Sequence, residues 1–168
     1  RMSSRRVVVA GGGAAGFFAA ITCAQAAPDV AVTLLEKGSQ FLSKVRISGG
    51  GRCNVTHACF EAREFAAHYP RGEQALIAPF KSFQASDTVV WFESRGVKLK
   101  TERDGRMFPT TDSSQTIIDC LLGLARAAGV KLILNCGVEG VTRRPEGTFE
   151  LRLSDGGALE CERLLLAT

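Results

Sequence analysis

The sequence has no Cys-x-x-Cys pair, no cluster of Lys or Arg interleaved with aromatics, no internal repeat and no low-complexity tract. Each absence removes a class of protein. Six cysteines (Cys23, Cys53, Cys59, Cys120, Cys136 and Cys161) without pairing or regular spacing do not make a secreted disulfide framework. Dispersed through an apolar chain, they read as reduced, buried small hydrophobes of a cytoplasmic protein. The charge, 21 Lys+Arg against 17 Asp+Glu, is a scattered excess that argues for no nucleic-acid partner. Hydrophobic and charged fractions of 45% and 23% exclude disorder, collagen and coiled coil. A membrane is not expected as a partner either. Arg5-Arg6 ahead of the apolar stretch from Val7 to Ala27, with the cleavage-like Ala24-Gln25-Ala26, imitate an export signal, but three consecutive glycines interrupt that stretch. Asn54-Val55-Thr56 matches a glycosylation sequon, which carries no weight without export. Arg1, ahead of Met2, reads as an added residue and is set aside.

What the sequence does have is glycine in particular places. Seven of its 18 Gly fall in two groups, Gly11, Gly12, Gly13 and Gly16, then Gly49, Gly50 and Gly51. Glycine is costly to order, so such groups mark backbone that turns tightly or approaches something closely. The first group follows a β-branched run, Val7 to Ala10. It leads into an Ala-rich helical stretch from Ala14 to Ala27, closed by Pro28, and a second buried strand is expected over Val30 to Glu36. Strand, glycine turn, helix and strand make a βαβ unit. In Gly11-x-Gly13-x-x-Gly16, Gly11 permits the tight turn, Gly13 lets backbone N–H groups approach a pyrophosphate, and Gly16 lets helix and strand pack closely. Ala14 and Ala15 open the helix, whose N-terminus faces phosphate with unpaired N–H donors and a positive dipole. Glu36, 20 positions after Gly16, is placed to accept hydrogen bonds from a ribose diol, and its charge disfavours a 2′-phosphate. This pattern does not separate NAD from FAD.

Lys37 to Ala58 reads as a long loop, too long for a simple connection and so a candidate functional segment. Helical patches are expected around Phe60–His68 and Glu73–Pro79, and a clearer helix over about Asp87 to Arg95 with Ser86 as N-cap and Gly96 just past its end. Val97–Lys100 and Arg106–Phe108 flank an Asp104-Gly105 hairpin turn. Ser113 or Ser114 caps a helix to Ala128, stopped by Gly129, with Ile117, Leu121, Leu124 and Ala128 as its buried stripe. A strand over Lys131–Asn135 precedes a meander of Val138–Arg143, Thr148–Leu153 and Ala158–Cys161. The apolar Leu164 to Thr168 reads as one more buried strand. The fold class expected is α/β and Rossmann-like, in a length of roughly one domain.

The second glycine group sits in Lys44-Val45-Arg46-Ile47-Ser48-Gly49-Gly50-Gly51-Arg52-Cys53-Asn54. It offers backbone donors, a hydroxyl and two guanidinium groups, chemistry suited to a pyrophosphate, a ribityl chain or a flavin edge. The alternative is a solvated basic loop. Together with Gly11 to Gly16 and Glu36-Lys37, the stretch from Lys44 to Thr56 resembles the N-terminal part of the BaiN/YhiN-like flavoproteins, a bacterial family of FAD-dependent oxidoreductases. The resemblance spans the whole chain. It implies a glutathione-reductase-type FAD domain over 1–168, with a helical and hairpin insertion at approximately 58–112, as the front of a longer chain. It implies FAD contacts from Gly11, Gly13, Ala14, Ala15, Gly16, Glu36, Lys37, Lys44, Ser48, Gly49, Gly51, Arg52, Cys53 and Asn54, and from the backbone of Val138 to adenine. Family members carry a strand ending in Ala-Thr-Gly-Gly that touches the cofactor. By that likeness Ala167 and Thr168 belong to the site, the two glycines are missing, and the 168-residue chain alone is expected to hold FAD weakly.

For function, the resemblance implies a reductase of unsaturated or carbonyl small molecules, bile-acid-like steroids in some members, with a nicotinamide or other electron donor. The residues by themselves leave open a non-catalytic dinucleotide-binding or sensor module and an NAD-dependent dehydrogenase. Cys53 and Cys59 invite comparison with the redox pairs of flavin disulfide reductases, but five residues intervene here where those pairs have four. The extra residue turns the second thiol by about 100° on a helix, so Cys53 is read as a loop residue near FAD and Cys59 as core. With His57 between them a metal site lacks a fourth ligand, and no metal is expected. His68 reads as a surface or helix-end residue, and Trp91 and Phe92 as core. No catalytic residue is named.

Overall fold

A computed structural model describes residues 5–168; Arg1, set aside above, lies outside the described residues. The chain divides into two units, one built from the residues up to Val45 and from Leu121 onward, the other from Arg46–Cys120.

The first unit is a Rossmann-type α/β layer. Strand β1 (Arg6–Ala10) runs into helix α1 (Ala14–Ala26) and strand β2 (Ala31–Leu35), the βαβ unit read from the sequence. Strand β6 (Lys131–Ile133) joins on the far side of β2, and β10 (Arg163–Leu166) on the other side of β1, giving a four-stranded parallel sheet in the order β10-β1-β2-β6. Parallel strands need cover, and α1 provides it on one face through Phe17, Ala20, Ile21 and Ala24, spaced at helical intervals and 0–7% exposed. A meander of β7 (Val138–Arg143), β8 (Phe149–Leu153) and β9 (Ala158–Cys161) forms a separate antiparallel sheet. Leu151 and Cys161 from it enter one buried cluster with Val8, Leu35 and Cys136. The reading of β10 as buried needs correcting: Leu165 and Leu166 are 42% and 63% exposed. Its strand pairs with β1 on one edge only, so an apolar sequence here does not mean burial on both faces.

The second unit begins within the segment expected as loop. That segment carries helix α2 (Ser43–Gly51) and a two-residue strand β3 (Thr56–His57). The regular helix breaks at Ser48, and Gly49 and Gly50 follow in left-handed conformation. Apolar periodicity could not reveal so short a helix, interrupted by three glycines. After α3 (Ala62–Ala67) and α4 (Glu73–Ser82), helix α5 (Ala85–Glu93) is capped by Gln84 rather than Ser86. The Gln84 N–H donates to the Asp87 carboxylate at 2.8 Å, so an acid in the first turn set the start. Trp91 is only half-buried and lies under the Arg95 guanidinium at 4.1 Å, whereas Phe92 is core. Strands β4 (Leu99–Thr101) and β5 (Arg106–Pro109) flank the Asp104-Gly105 turn and pair in the order β3-β5-β4. Helix α6 (Ser114–Ala127) buries Ile117, Ile118, Leu121 and Ala125; the stripe lies one residue off Leu124 and Ala128, which are partly exposed.

Candidate functional site

The C-terminal ends of β1, β2 and β10 converge on one cavity of about 680 Å³, within the range of small-molecule and cofactor sites. In open parallel sheets ligands bind at these ends, where helix N-termini also point. Its lining includes Gly11, Gly12 and Gly13 after β1, Glu36 and Lys37 after β2, Lys44 at the start of α2, Val138 on β7, and Ala167 and Thr168 after β10. Nine positions from five parts of the sequence therefore meet in one place.

The glycines have separate physical roles. Gly11 has φ of +119°, and a Cβ there would run into the Ala167 carbonyl. A Cβ on Gly16 would overlap the Gly11 carbonyl, so α1 can start at this height over β1 only with glycine at that position. Gly13, the N-cap of α1, has nothing within 4 Å of where its Cβ would project. That open space, beside the first N–H groups of a helix with no acidic residue in its first turn, is a cradle a side chain would fill. Gly12 is the middle glycine, which the spacing rule leaves free. Here a Cβ would sit 2.7 Å from a ring carbon of Phe41 and 2.8 Å from the Glu36 Cβ.

The Glu36 carboxylate is held from two sides. The N–H of Gly12 donates to its Oε2 at 2.8 Å and the N–H of Gly38 donates to its Oε1 at 2.6 Å. A carboxylate offers about four lone-pair sites, so two remain for a diol. Lys37 and Lys44 bring positive charge to the cavity, and both are exposed. Across from them, β7 is an edge strand of its sheet, with a register shift between Val138 and Gly140. Four successive residues, Val138 to Val141, thereby line the cavity, which an ordinary alternating strand would not allow. Glycine cradle, anchored carboxylate, flanking lysines and strand edge fit the adenosine diphosphate half of a dinucleotide.

The remaining expected site residues lie elsewhere. Ala14 and Ala15 are exposed on the first turn of α1, and Gly16 is buried beneath it. Ser48, Gly49, Gly51, Arg52, Cys53 and Asn54 belong to the second unit. There Gly49 has φ of +56°, and a Cβ would meet Phe108 at 2.7 Å and the Asn54 N at 2.8 Å. The Arg52 guanidinium stacks 3.9 Å over the Phe108 ring and pairs with Glu102 at 2.5 Å and Asp112 at 3.6 Å. Hydrogen bonding to Glu102 raises its already high pKa further. Lys100 pairs in turn with Asp112 at 2.5 Å. Cys53 is buried at φ of +62°, and its thiol is pushed up by burial, partly offset by a hydrogen bond from Ser48. Cys59 is buried and likewise raised, chiefly by desolvation. All six cysteines are free. Among the described residues no group of three or more His, Cys, Asp or Glu could hold a metal ion, and no helix is long and apolar enough to cross a membrane.

Sequence reasoning missed several cavity residues: Gly12, Ser43, Cys136, Gly137 and the stretch Glu139 to Val141. Cys136 follows β6 closely, and its N–H donates to the Glu36 carbonyl at 2.9 Å. The end of a third parallel strand was the available signal, because every such strand points at the same cavity.

The model of the HI0933-like protein Rossmann domain matches residues 5–168. The chain belongs to this family. Two curated relatives are each 30% identical: a 3-dehydro-bile acid delta(4,6)-reductase of Clostridium scindens, over 90% of this chain, and a ribosomal RNA dihydrouridine synthase of Escherichia coli, over 91%. The chain spans 36% of the length of each. Among solved structures, a 3-ketosteroid-delta4-(5alpha)-dehydrogenase of Rhodococcus jostii RHA1 matches with a TM-score of 0.67 at 18% identity, over 98% of this chain and 46% of that one. Thermovibrio ammonificans THI4 matches with a TM-score of 0.62 at 12% identity, over 98% and 57%. At such identities the likeness establishes the fold, a Rossmann-type layer. Family and geometry point to FAD as the cofactor of this domain.

Proposed function

We propose that this chain is the adenosine-binding part of an FAD-dependent oxidoreductase that reduces an unsaturated or carbonyl small molecule. The observation that carries the reading is the anchored Glu36 carboxylate facing the same cavity as the open Gly13 cradle. In this reading Glu36 binds the ribose diol with its two remaining acceptor positions. The N–H groups at the start of α1 take the pyrophosphate, Lys37 and Lys44 offset its charge, and the backbone of Val138 meets adenine. Ala167 and Thr168 close the cavity beside Gly11. Ser48, Gly49, Gly51, Arg52, Cys53 and Asn54 are proposed to contact the rest of the cofactor. Arg52 would do so with its side chain already held in place, since Glu102 and Asp112 both pair with its Nη1.

FAD, when bound, supplies the hydride and electron transfer, while the protein supplies position and electrostatics. The carboxylate of Glu36 repels a 2′-phosphate, which favours FAD over an NADP-type adenosine in this cavity. The two curated relatives are a bile-acid reductase and a dihydrouridine synthase, names that both denote addition of hydrogen. We infer a small-molecule substrate rather than nucleic acid, because Arg52, Lys100 and Arg106 are paired with carboxylates instead of forming an open basic surface. Six free cysteines fit a cytoplasmic location. We place the whole of 1–168 in the FAD domain, with approximately 58–112 as its insertion.

The test is the visible spectrum of the purified full-length protein, followed by reduction with a nicotinamide donor and reoxidation by a panel of enones, carbonyl compounds and ribosomal RNA. A bound flavin that bleaches and is reoxidised by a small molecule supports the reading. Reoxidation by RNA alone overturns the substrate class, and a protein that binds no flavin overturns the cofactor role.

A further inference from the structure

The turn between β2 and α2 contains an unexplained strain. Leu42 has φ of +58°, in the left-handed region that a bulky side chain adopts only when its surroundings hold it there. It is 1% exposed. Its N–H donates to the Gly12 carbonyl at 2.8 Å. The preceding residue, Phe41, stands edge-on to Phe17 of α1 with ring centroids 5.4 Å apart, and its ring edge lies where a Cβ of Gly12 would be. On its other side Gly12 donates its own N–H to Glu36. Both peptide groups of Gly12 are thus tied down, one by the ribose-facing carboxylate and one by a strained, fully buried leucine.

The geometry points to the Phe41–Leu42 turn as a clamp that holds the phosphate-facing glycine loop in its binding shape, with Leu42 as a positioning residue and Gly12 as the point it grips. The ends of the loop are fixed, since the Gly11 N–H donates to the Leu35 carbonyl at 2.8 Å and the Gly13 carbonyl accepts from Phe17 at 3.0 Å, and the Leu42 N–H fixes the Gly12 carbonyl between them. Glycine is the most permissive backbone, and Gly13 has open space on its cavity side. A loop that presents N–H donors to a pyrophosphate gains affinity when it is ordered before the ligand arrives. Leu42 provides that order through its N–H bond to the Gly12 carbonyl, while its left-handed φ sets the path of the chain that follows and its buried side chain keeps the backbone there. The inference rests on the reading of the cavity as an FAD site, and it adds a residue that the glycine spacing rule does not include.

The test uses the full-length protein and three ligands, FAD, ADP and adenosine, with Leu42→Ala and Leu42→Gly. In Leu42→Ala the anchoring side chain is gone while the left-handed φ still costs energy, so the turn relaxes and releases Gly12. Affinity for FAD and ADP is expected to fall about tenfold, and affinity for adenosine, which lacks the pyrophosphate, less than twofold. Leu42→Gly removes even more side chain but adopts φ of +58° without strain, and it is expected to recover at least a third of the lost ADP affinity. A packing role alone predicts the reverse, with glycine no better than alanine and adenosine falling in step with ADP; either result overturns the clamp. If both variants fail to fold, Phe41→Leu replaces them with the same expected split between ADP and adenosine, and an equal loss for the two ligands again overturns it. Failure of the wild-type protein to bind FAD or ADP refutes the cofactor site itself, a distinct outcome.

Discussion

Replacing Glu36 with alanine should weaken FAD binding and destabilise the apoprotein at once, because one carboxylate does two jobs. In the free protein its oxygens accept the N–H groups of Gly12 and Gly38 at 2.8 and 2.6 Å, both part-buried. Removal leaves two amides without their acceptor. A hydrogen bond to a charged group contributes about 1.5–3 kcal/mol when well shielded, so two part-buried ones together are expected to contribute about 1–3 kcal/mol to stability. For the cofactor, loss of the ribose acceptors costs a further 1.5–3 kcal/mol or so, a fall in affinity of about 10- to 150-fold. Glu36→Gln keeps one acceptor oxygen and should fall between wild type and alanine on both measures. Quenching of FAD fluorescence gives the affinity and urea unfolding of the apoprotein gives the stability. Affinity within twofold of wild type, or an apoprotein as stable as before, would refute the assigned role.

Three further outcomes follow from the same geometry. Gly16→Ala pushes a methyl group into the Gly11 carbonyl, backbone against helix, and should cost about 1–3 kcal/mol or more in thermal unfolding; Gly123→Ala, in open space on α6, should instead stabilise by about 0.5–1 kcal/mol. Gly49→Ala should destabilise more than Gly50→Ala, because both need left-handed backbone but only Gly49 meets Phe108 and Asn54; equal urea midpoints would contradict this. The carboxyls of Asp104, Asp112 and Glu162 are held below their usual range, by the Arg106 backbone N–H, the Lys100 ammonium and the Arg6 backbone N–H respectively. Groups lowered on folding stabilise above their unfolded pKa, so stability should be level from about pH 7 to 5 and fall as pH drops below about 4. Lys100→Met should flatten part of that acid slope in unfolding measured at stepped pH.

How much of this was legible beforehand depends on how local the cause was. β1, α1, β2 and the placement of Gly11, Gly13, Gly16 and Glu36 around the first turn follow from one contiguous stretch whose spacing has a steric reason, and the family match agrees with the Rossmann-type reading. The meander strands were legible because Pro145-Glu146-Gly147 and Asp155-Gly156-Gly157 punctuate them. Helix α2 was not, since a helix of this length with left-handed glycines inside its span has no periodicity to detect. The exposure of Leu165 and Leu166 was also hidden, because an apolar run reads the same on an edge strand as in the middle of a sheet. Gly12 and Leu42 were missed for a third reason. Their constraint arises from a contact between the glycine loop and a turn some 30 positions later, and no local pattern encodes it. Arg52 reads in sequence as a free cation for anionic oxygens, whereas Glu102 and Asp112, 50 and 60 positions away, already engage it.

The most direct test of the central claim is a crystal structure of the full-length protein with FAD. The account predicts the ribose diol within hydrogen-bonding distance of Glu36 and the pyrophosphate over Gly11 to Gly13 at the start of α1. FAD bound away from these residues, or an adenosine that leaves the Glu36 carboxylate without a ligand contact, would contradict it.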